Sequence, residues 1–195
     1  MRLILASASP RRADLLRAAG FTFDTVVADV DEAVRPGESP ALHVRRLAAE
    51  KSAAALGGPA KAGRHDACVL AADTTVVIDN EILGKPRDDH DAAAMLERLS
   101  GRRHDVLTGV SIRRNAFEVG RVESTAVSFA ALTPDEVAWY VGSGEGRDKA
   151  GGYAIQGLAS RFVTRIEGSY SNVVGLPVAA VVELLRETGF FARNC

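Results

Sequence analysis

Cysteine is nearly absent. The two present, Cys68 and Cys195, cannot build a disulfide framework, and Cys68 falls inside an apolar strand pattern, which suits a reducing compartment. Histidine is sparse and scattered. His43, His65, His90 and His104 show no paired ligand spacing, which argues against a histidine-built metal centre; all four are expected on the surface or in loops. There is no nucleophile-elbow motif and no Walker-type phosphate loop. No apolar run approaches the length that spans a bilayer, and the run ahead of Ser7 is only four residues, too short for the core of a secretory signal. Neither charge sign dominates: 24 basic against 25 acidic residues leave a net charge of −1, which argues against a broad nucleic-acid footprint or a polybasic membrane patch. The expectation is a soluble cytoplasmic protein that engages neither nucleic acid polymer nor membrane. Lysine is rare as well: only Lys51, Lys61, Lys85 and Lys149. Where arginine is the default, each lysine raises the question of whether a compact ammonium is required there. For Lys61 chance is a sufficient answer.

What the sequence does have begins at its first strand. Leu3 to Ala6 reads as a buried strand running into a helix, with Ser9 at the N-cap, Pro10 at the first position and Gly20 past the end. Leu15, Leu16, Ala18 and Ala19 mark the helix's apolar face. Arg11 and Arg12 then fall in the first turn, where the helix dipole disfavours each cation by ~0.3–1 kcal/mol. Two successive breaks of a local rule point to function. Free backbone N–H groups and two guanidiniums together make a phosphate seat; the plainer reading is two arginines tolerated in solvent.

Further along, residues 21–28 read as a strand. Asp29, Asp31 and Glu32 follow in a punctuated loop, either a solvated acidic turn or a set of donors for a divalent cation. Residues 41–56 read as a helix with Leu42, Leu47, Ala48, Ala54 and Ala55 inward and Lys51 on the polar side. A flexible connector spans 57–66. The most apolar stretch, 67–78, is the pattern of a central strand covered on both faces, and Asp73 interrupts it. A carboxylate there needs an ionic partner, a metal, a proton or a set of backbone amides. It is the first candidate for a catalytic group.

A hairpin turning at Asp79-Asn80, a helix at 89–99, strands near 104–113 and 119–130, and a capping-box helix from Thr133 to about 141 follow. Residues 142–157 hold six glycines and few apolar side chains, the pattern of either a functional segment or a disordered one, with Asp148, Lys149, Tyr153 and Gln156 as its chemistry. A strand at 161–167, a polar turn at 168–172 and a helix at 177–187 complete the order. The expected fold is α/β: a mixed, strongly twisted sheet with helices on both sides, two lobes around a central groove, the whole forming one domain over 1–195. Arg11, Arg12, Lys51, Lys85 and Lys149 suit a polyphosphate. Asp73 suits a general base or a metal ligand, because opening a phosphoanhydride needs an oriented water and neutralised oxygens.

The blocks SASPRR, LAADTTV, GKP, LSGRRHDVLTGV, DKAGGYAIQG and GSYSNVVGLP appear in this order between Leu3 and about Leu185. Together they resemble the Maf family of nucleoside triphosphate pyrophosphatases, once described as septum-formation inhibitors. The resemblance implies a fold of the Maf/ITPase kind, hydrolysis between the α and β phosphates, a divalent metal cofactor (Mg or Mn) of unassigned ligands, for which Glu32 and Asp73 are candidates, and a homodimer. It places the proton acceptor on Asp73 and phosphate or substrate contacts on Ser7, Arg12, Lys51, Lys85 and Lys149. Arg11, Thr74 and Gln156 fall on the positions that separate substrate subgroups and are similar to those acting on dTTP and UTP. The subgroup acting on 7-methyl-GTP carries Trp where Arg11 stands. A Gln amide supplies both an NH₂ and a C=O, so Gln156 can meet a uracil or thymine edge in two bonds. Ala154, where the family more often has Gly, and the long 57–66 connector depart from the pattern without touching a motif residue. The competing expectations are a nucleotide-binding regulator of cell division that does not hydrolyse, and a pyrophosphatase for 7-methyl-GTP-type substrates.

Overall fold

A computed structural model describes residues 1–57 and 67–192. The expected connector beyond Gly57 lies outside the described residues, as do Lys61, His65 and Cys195. The elements run β1 (Arg2–Ala6), α1 (Pro10–Ala18), β2 (Asp24–Val26), α2 (Pro40–Gly57), β3 (Ala67–Ile78), β4 (Glu81–Leu83) and α3 (Asp89–Leu99). They continue with β5 (Arg103–Arg114), β6 (Phe117–Phe129), α4 (Pro134–Ser143), β7 (Val163–Glu167), α5 (Tyr170–Val174) and α6 (Val178–Glu187). The strands form a seven-stranded mixed sheet in the order β2-β1-β3-β5-β6-β7, with β4 paired to β3 off that path. β1 is parallel to β2 and β3, while β4 on β3 and β7 on β6 are antiparallel. This is the expected α/β class. Among the described residues no helix is long and apolar enough to cross a membrane. The chain divides into two compact units: Met1–Asp73, Thr108–Glu123 and Gly175–Cys195 form one, Thr74–Leu107 and Ser124–Val174 the other.

In the first unit, Leu3, Leu5, Cys68 and Leu70 of β1 and β3 pack with Leu16 of α1 and Leu184 of α6. Ile4, Ala6, Val69 and Ala71 point the other way and pack with Ala55 of α2. Helices cover both faces, which is why β3 opens on a continuous apolar run from Ala67 to Ala72. The expected stripe on α1 is wrong in part: Ala13 and Leu16 are buried, whereas Ala18 and Ala19 are exposed. The helix ends at Ala18, and Gly20 (φ 84°) turns the chain away before those positions are covered. Helix α2 is rotated from its expected orientation. Leu42 is 62% exposed and Ala54 is exposed, while His43, Val44 and Ser52 join Leu47, Ala48 and Ala55 inside. Ser52 is tolerated there because its hydroxyl donates to the Ala49 carbonyl (2.9 Å) and lies 2.8 Å from the Ser111 hydroxyl. β2 is shorter than 21–28 because only Asp24, Thr25 and Val26 find partners on β1.

In the second unit, the hairpin turns where expected, with Asp79 (φ 53°) and Asn80 (φ 61°) both left-handed, as a two-residue turn of this twist requires. The capping box of α4 is formed: Glu136 N–H donates to Thr133 Oγ1 (3.3 Å), and the Glu136 carboxylate accepts from Thr133 N–H (2.9 Å). The strand expected at 161–167 begins at Val163, because 158–162 wind into a 3₁₀ turn that buries Ala159 and Phe162. The polar turn at 168–172 closes into α5, where the Ser169 hydroxyl and carbonyl both accept from Asn172 N–H.

Two of the histidines depart from the surface expectation. His43 is buried on the first unit beside the Glu38 carboxylate (3.2 Å), and His104 is 2% exposed in the second. His104 Nε2 lies 2.8 Å from the Tyr153 hydroxyl, and its ring meets Phe129 edge-on. Burial pushes the imidazole pKa from 6.5 down to about 4. The unfolded chain therefore takes up a proton that the native protein refuses, and stability falls as pH drops through that window. Urea unfolding is expected to show a contribution of about 1 kcal/mol lost near pH 5.5 and about 3 kcal/mol by pH 4. The double variant His104→Phe/Tyr153→Phe, which leaves no orphaned hydroxyl, should lack that part of the slope.

Candidate active site

The first unit assembles the cationic start of α1 and the carboxylate of β3. β1 ends at Ala6, and Ser7, Ala8 and Ser9 turn the chain into Pro10. Ser9 occupies the N-cap position, but its side chain makes no cap bond. Instead, Ser7 Oγ accepts from the Ser9 N–H (3.1 Å) and from Arg12 Nη1 (3.3 Å). Arg12 Nε donates to the Gly175 carbonyl (2.7 Å), so the guanidinium is held from both sides. The first turn of α1 contains no acidic residue. Burial lowers the Arg12 pKa from its ordinary value; the charges of Asp73 and Glu32 oppose that shift, and Arg11 adds to it. Arg11, Arg12, Glu32 and Asp73 therefore share one electrostatic neighbourhood.

Asp73 has its ionic partner. Lys51 Nζ donates to Asp73 Oδ1 (2.7 Å) and to Glu32 Oε1 (2.5 Å), with the Lys51 and Asp73 side chains 12% and 13% exposed. The expectation that Lys51 lies on the polar side of α2 is thus corrected: rotation of the helix carries it inward to bridge the two carboxylates. Glu32 sits on a loop without regular structure, held by a clasp that sequence reasoning misses. Glu38 accepts from Arg46 Nε (2.6 Å) and Nη2 (2.8 Å) and from the Arg35 N–H (3.1 Å). Arg46 also donates to the carbonyl of Ala33, the residue after Glu32 (3.0 Å). Arg46 holds the Glu38 carboxyl well below the usual carboxylate range. Nothing in the spacing of Glu38 and Arg46, across a loop and a helix start, signals this pairing. Of the acidic turn, Asp29 and Asp31 are exposed, and Asp31 caps the Ala33 N–H (3.0 Å).

The other candidates lie on the second unit. Thr74 follows Asp73 on β3 and is half-buried. Lys85 is exposed just after β4, and the Gly151 N–H donates to the Gly84 carbonyl (3.0 Å), which brings the chain around Lys85 beside the turn that carries Lys149. Lys149 pairs with Asp148. Gln156 is exposed on a turn closed by the Gly157 N–H on the Ala154 carbonyl (3.1 Å). Sequence reasoning passes over the anchors of that turn, Tyr140 and Glu145, because neither has a recognisable spacing to Gln156.

Known proteins resemble this chain over nearly its whole length. A family model described as Maf-like protein matches residues 2–188. The chain is 53% identical over 193 residues to a protein of Anaeromyxobacter dehalogenans (strain 2CP-C) named dTTP/UTP pyrophosphatase, covering 97% of this chain and 95% of that one. It is 50% identical over 190 residues to a protein of the same name from Hahella chejuensis (strain KCTC 2396), covering 96% and 92%. A third of that name, from Myxococcus xanthus (strain DK1622), is 50% identical over 188 residues, covering 96% and 92%.

Proposed function

The chain belongs to the Maf-like family, and from that premise we propose that it hydrolyses dTTP and UTP between the α and β phosphates, releasing the nucleoside monophosphate and pyrophosphate. The observation that carries the reading is the Lys51 ammonium held by Asp73 and Glu32, in the same charged neighbourhood as Arg12 at the start of α1. Arg11, Arg12 and Lys51 can neutralise phosphate oxygens there, while a carboxylate of the Asp73 and Glu32 pair orients water.

Asp73 serves as the proton acceptor for the attacking water. Ser7, Arg12 and the start of α1 seat phosphate, and Lys51, Lys85 and Lys149 contribute further positive charge. Arg11, Thr74 and Gln156 select the substrate, with Gln156 meeting the uracil or thymine edge. The donor set suits a divalent cation of the Mg or Mn kind. Asp73 and Glu32 converge on a single cation, Lys51, at 2.7 and 2.5 Å, as two hard oxygen donors. Among the described residues no group of three or more His, Cys, Asp or Glu side chains that could hold a metal ion occurs, so waters and substrate phosphates would have to complete its coordination. Such an ion would supply charge neutralisation at the phosphate oxygens. We place the enzyme in the cytoplasm, acting on free nucleotides.

Pyrophosphate release from a panel of triphosphates with Mg²⁺ or Mn²⁺ tests this directly. UTP and dTTP are expected to exceed purine triphosphates, 7-methyl-GTP included. Release of single phosphates, a purine preference, or tight binding without hydrolysis would each contradict it.

A further inference from the structure

We infer that Glu145 and Tyr140 are positioning residues for Gln156, so that discrimination between bases depends on a carboxylate that never touches the substrate. The inference rests on the reading of Gln156 given above. Gln156 is exposed on a short turn and belongs to no helix or strand, so its own element does not hold it. The backbone on both sides of it is tied to one linked pair of side chains, Glu145 and Tyr140. Glu145 Oε1 accepts from the Leu158 N–H (2.9 Å), and Glu145 Oε2 accepts from the Ala159 N–H (3.4 Å). The Tyr140 hydroxyl donates to Glu145 Oε2 (2.9 Å) and accepts from the Ala154 N–H (3.0 Å). Ala154 and Leu158 each lie two residues from Gln156, and both are thereby tied to a single pair of side chains.

That pair is itself fixed. Tyr140 is 1% exposed in α4, and Glu145 follows the helix's left-handed terminus at Gly144 (φ 71°), with its N–H on Ser143 Oγ (3.2 Å). Burial raises the phenol pKa above its ordinary value, which keeps the hydroxyl a donor. Gly157 leaves room for the carboxylate: a Cβ there would lie 2.0 Å from Glu145 Oε1. The arrangement requires an acceptor-only group. Three donors meet the two oxygens of Glu145, and a Gln at that position would turn an NH₂ against one of them.

The test compares kcat/KM for UTP with kcat/KM for CTP and GTP in Glu145→Gln, Tyr140→Phe and Gln156→Ala. In the first two the UTP preference is expected to shrink by about tenfold, through loss on UTP alone, because a reading group set loose by a fraction of an ångström loses its contrast. A merely structural role would reduce the active fraction and lower all three substrates alike. Retained thermal midpoints check that the variants are folded. An unchanged ratio in Glu145→Gln and Tyr140→Phe, alongside a collapsed ratio in Gln156→Ala, would overturn the inference while leaving Gln156 as the base reader. An unchanged ratio in Gln156→Ala would sink that reading and the inference with it.

Discussion

Asp73→Asn is expected to bind UTP as the parent protein does and to release pyrophosphate roughly a thousandfold more slowly, the order of effect that removal of a positioned general base produces. The amide keeps the size of the carboxylate and still accepts from Lys51, and Lys51 keeps Glu32 as its second carboxylate, so the fold is not left with a buried, unpaired ammonium. What the amide cannot do is take a proton. Affinity measured calorimetrically with a non-hydrolysable UTP analogue, set beside kcat, separates the two effects. Turnover within a few-fold of the parent would remove Asp73 from its assigned role.

Lys51→Met acts on the other half of the same pair and should cost both stability and rate. The thioether leaves Asp73, whose side chain is 13% exposed, facing Glu32 without the ammonium between them. Removing one partner of a buried pair strands the other, and a loss of about 3 kcal/mol is expected, toward the low end for such changes because Glu32 is 53% exposed. The proposed role of Lys51 in neutralising phosphate charge sets the expected fall in rate at about a hundredfold or more. A double variant, Lys51→Met/Asp73→Asn, should recover much of the stability and none of the rate. Stability losses that simply add in the double variant would show that the two residues do not interact energetically.

Much of this arrangement is legible in the sequence, and the rest fails for identifiable reasons. The apolar pattern of β3 announces a strand covered on both faces, and the charge that interrupts it singles out Asp73. Two arginines in a helix's first turn single out Arg11 and Arg12, and Arg12 lies within the field of Asp73. The partner of Asp73 is not legible. Helix α2 is rich in alanine on several faces, so its apolar periodicity does not settle which side turns inward, and the pattern puts Lys51 outward. What decides the rotation is tertiary: Ser52 meeting Ser111, and His43 and Arg46 closing on Glu38. The buried histidines escape for the same reason, since their partners come from a distant element or across an irregular loop. Gln156 is legible as a residue type, whereas Glu145 and Tyr140 matter only through backbone N–H groups that no spacing reveals.

The claim on which the rest depends is that a substrate's phosphates lie at the start of α1, against Arg12 and within reach of Asp73. A crystal structure of the Asp73→Asn variant soaked with UTP and Mg²⁺ tests it most directly. The expected result is a triphosphate accepting hydrogen bonds from Arg12 and from the first-turn N–H groups of α1, with the substituted amide side chain beside the α-phosphate. Triphosphate bound elsewhere, with Arg12 still closed on Ser7 and Gly175, would contradict it.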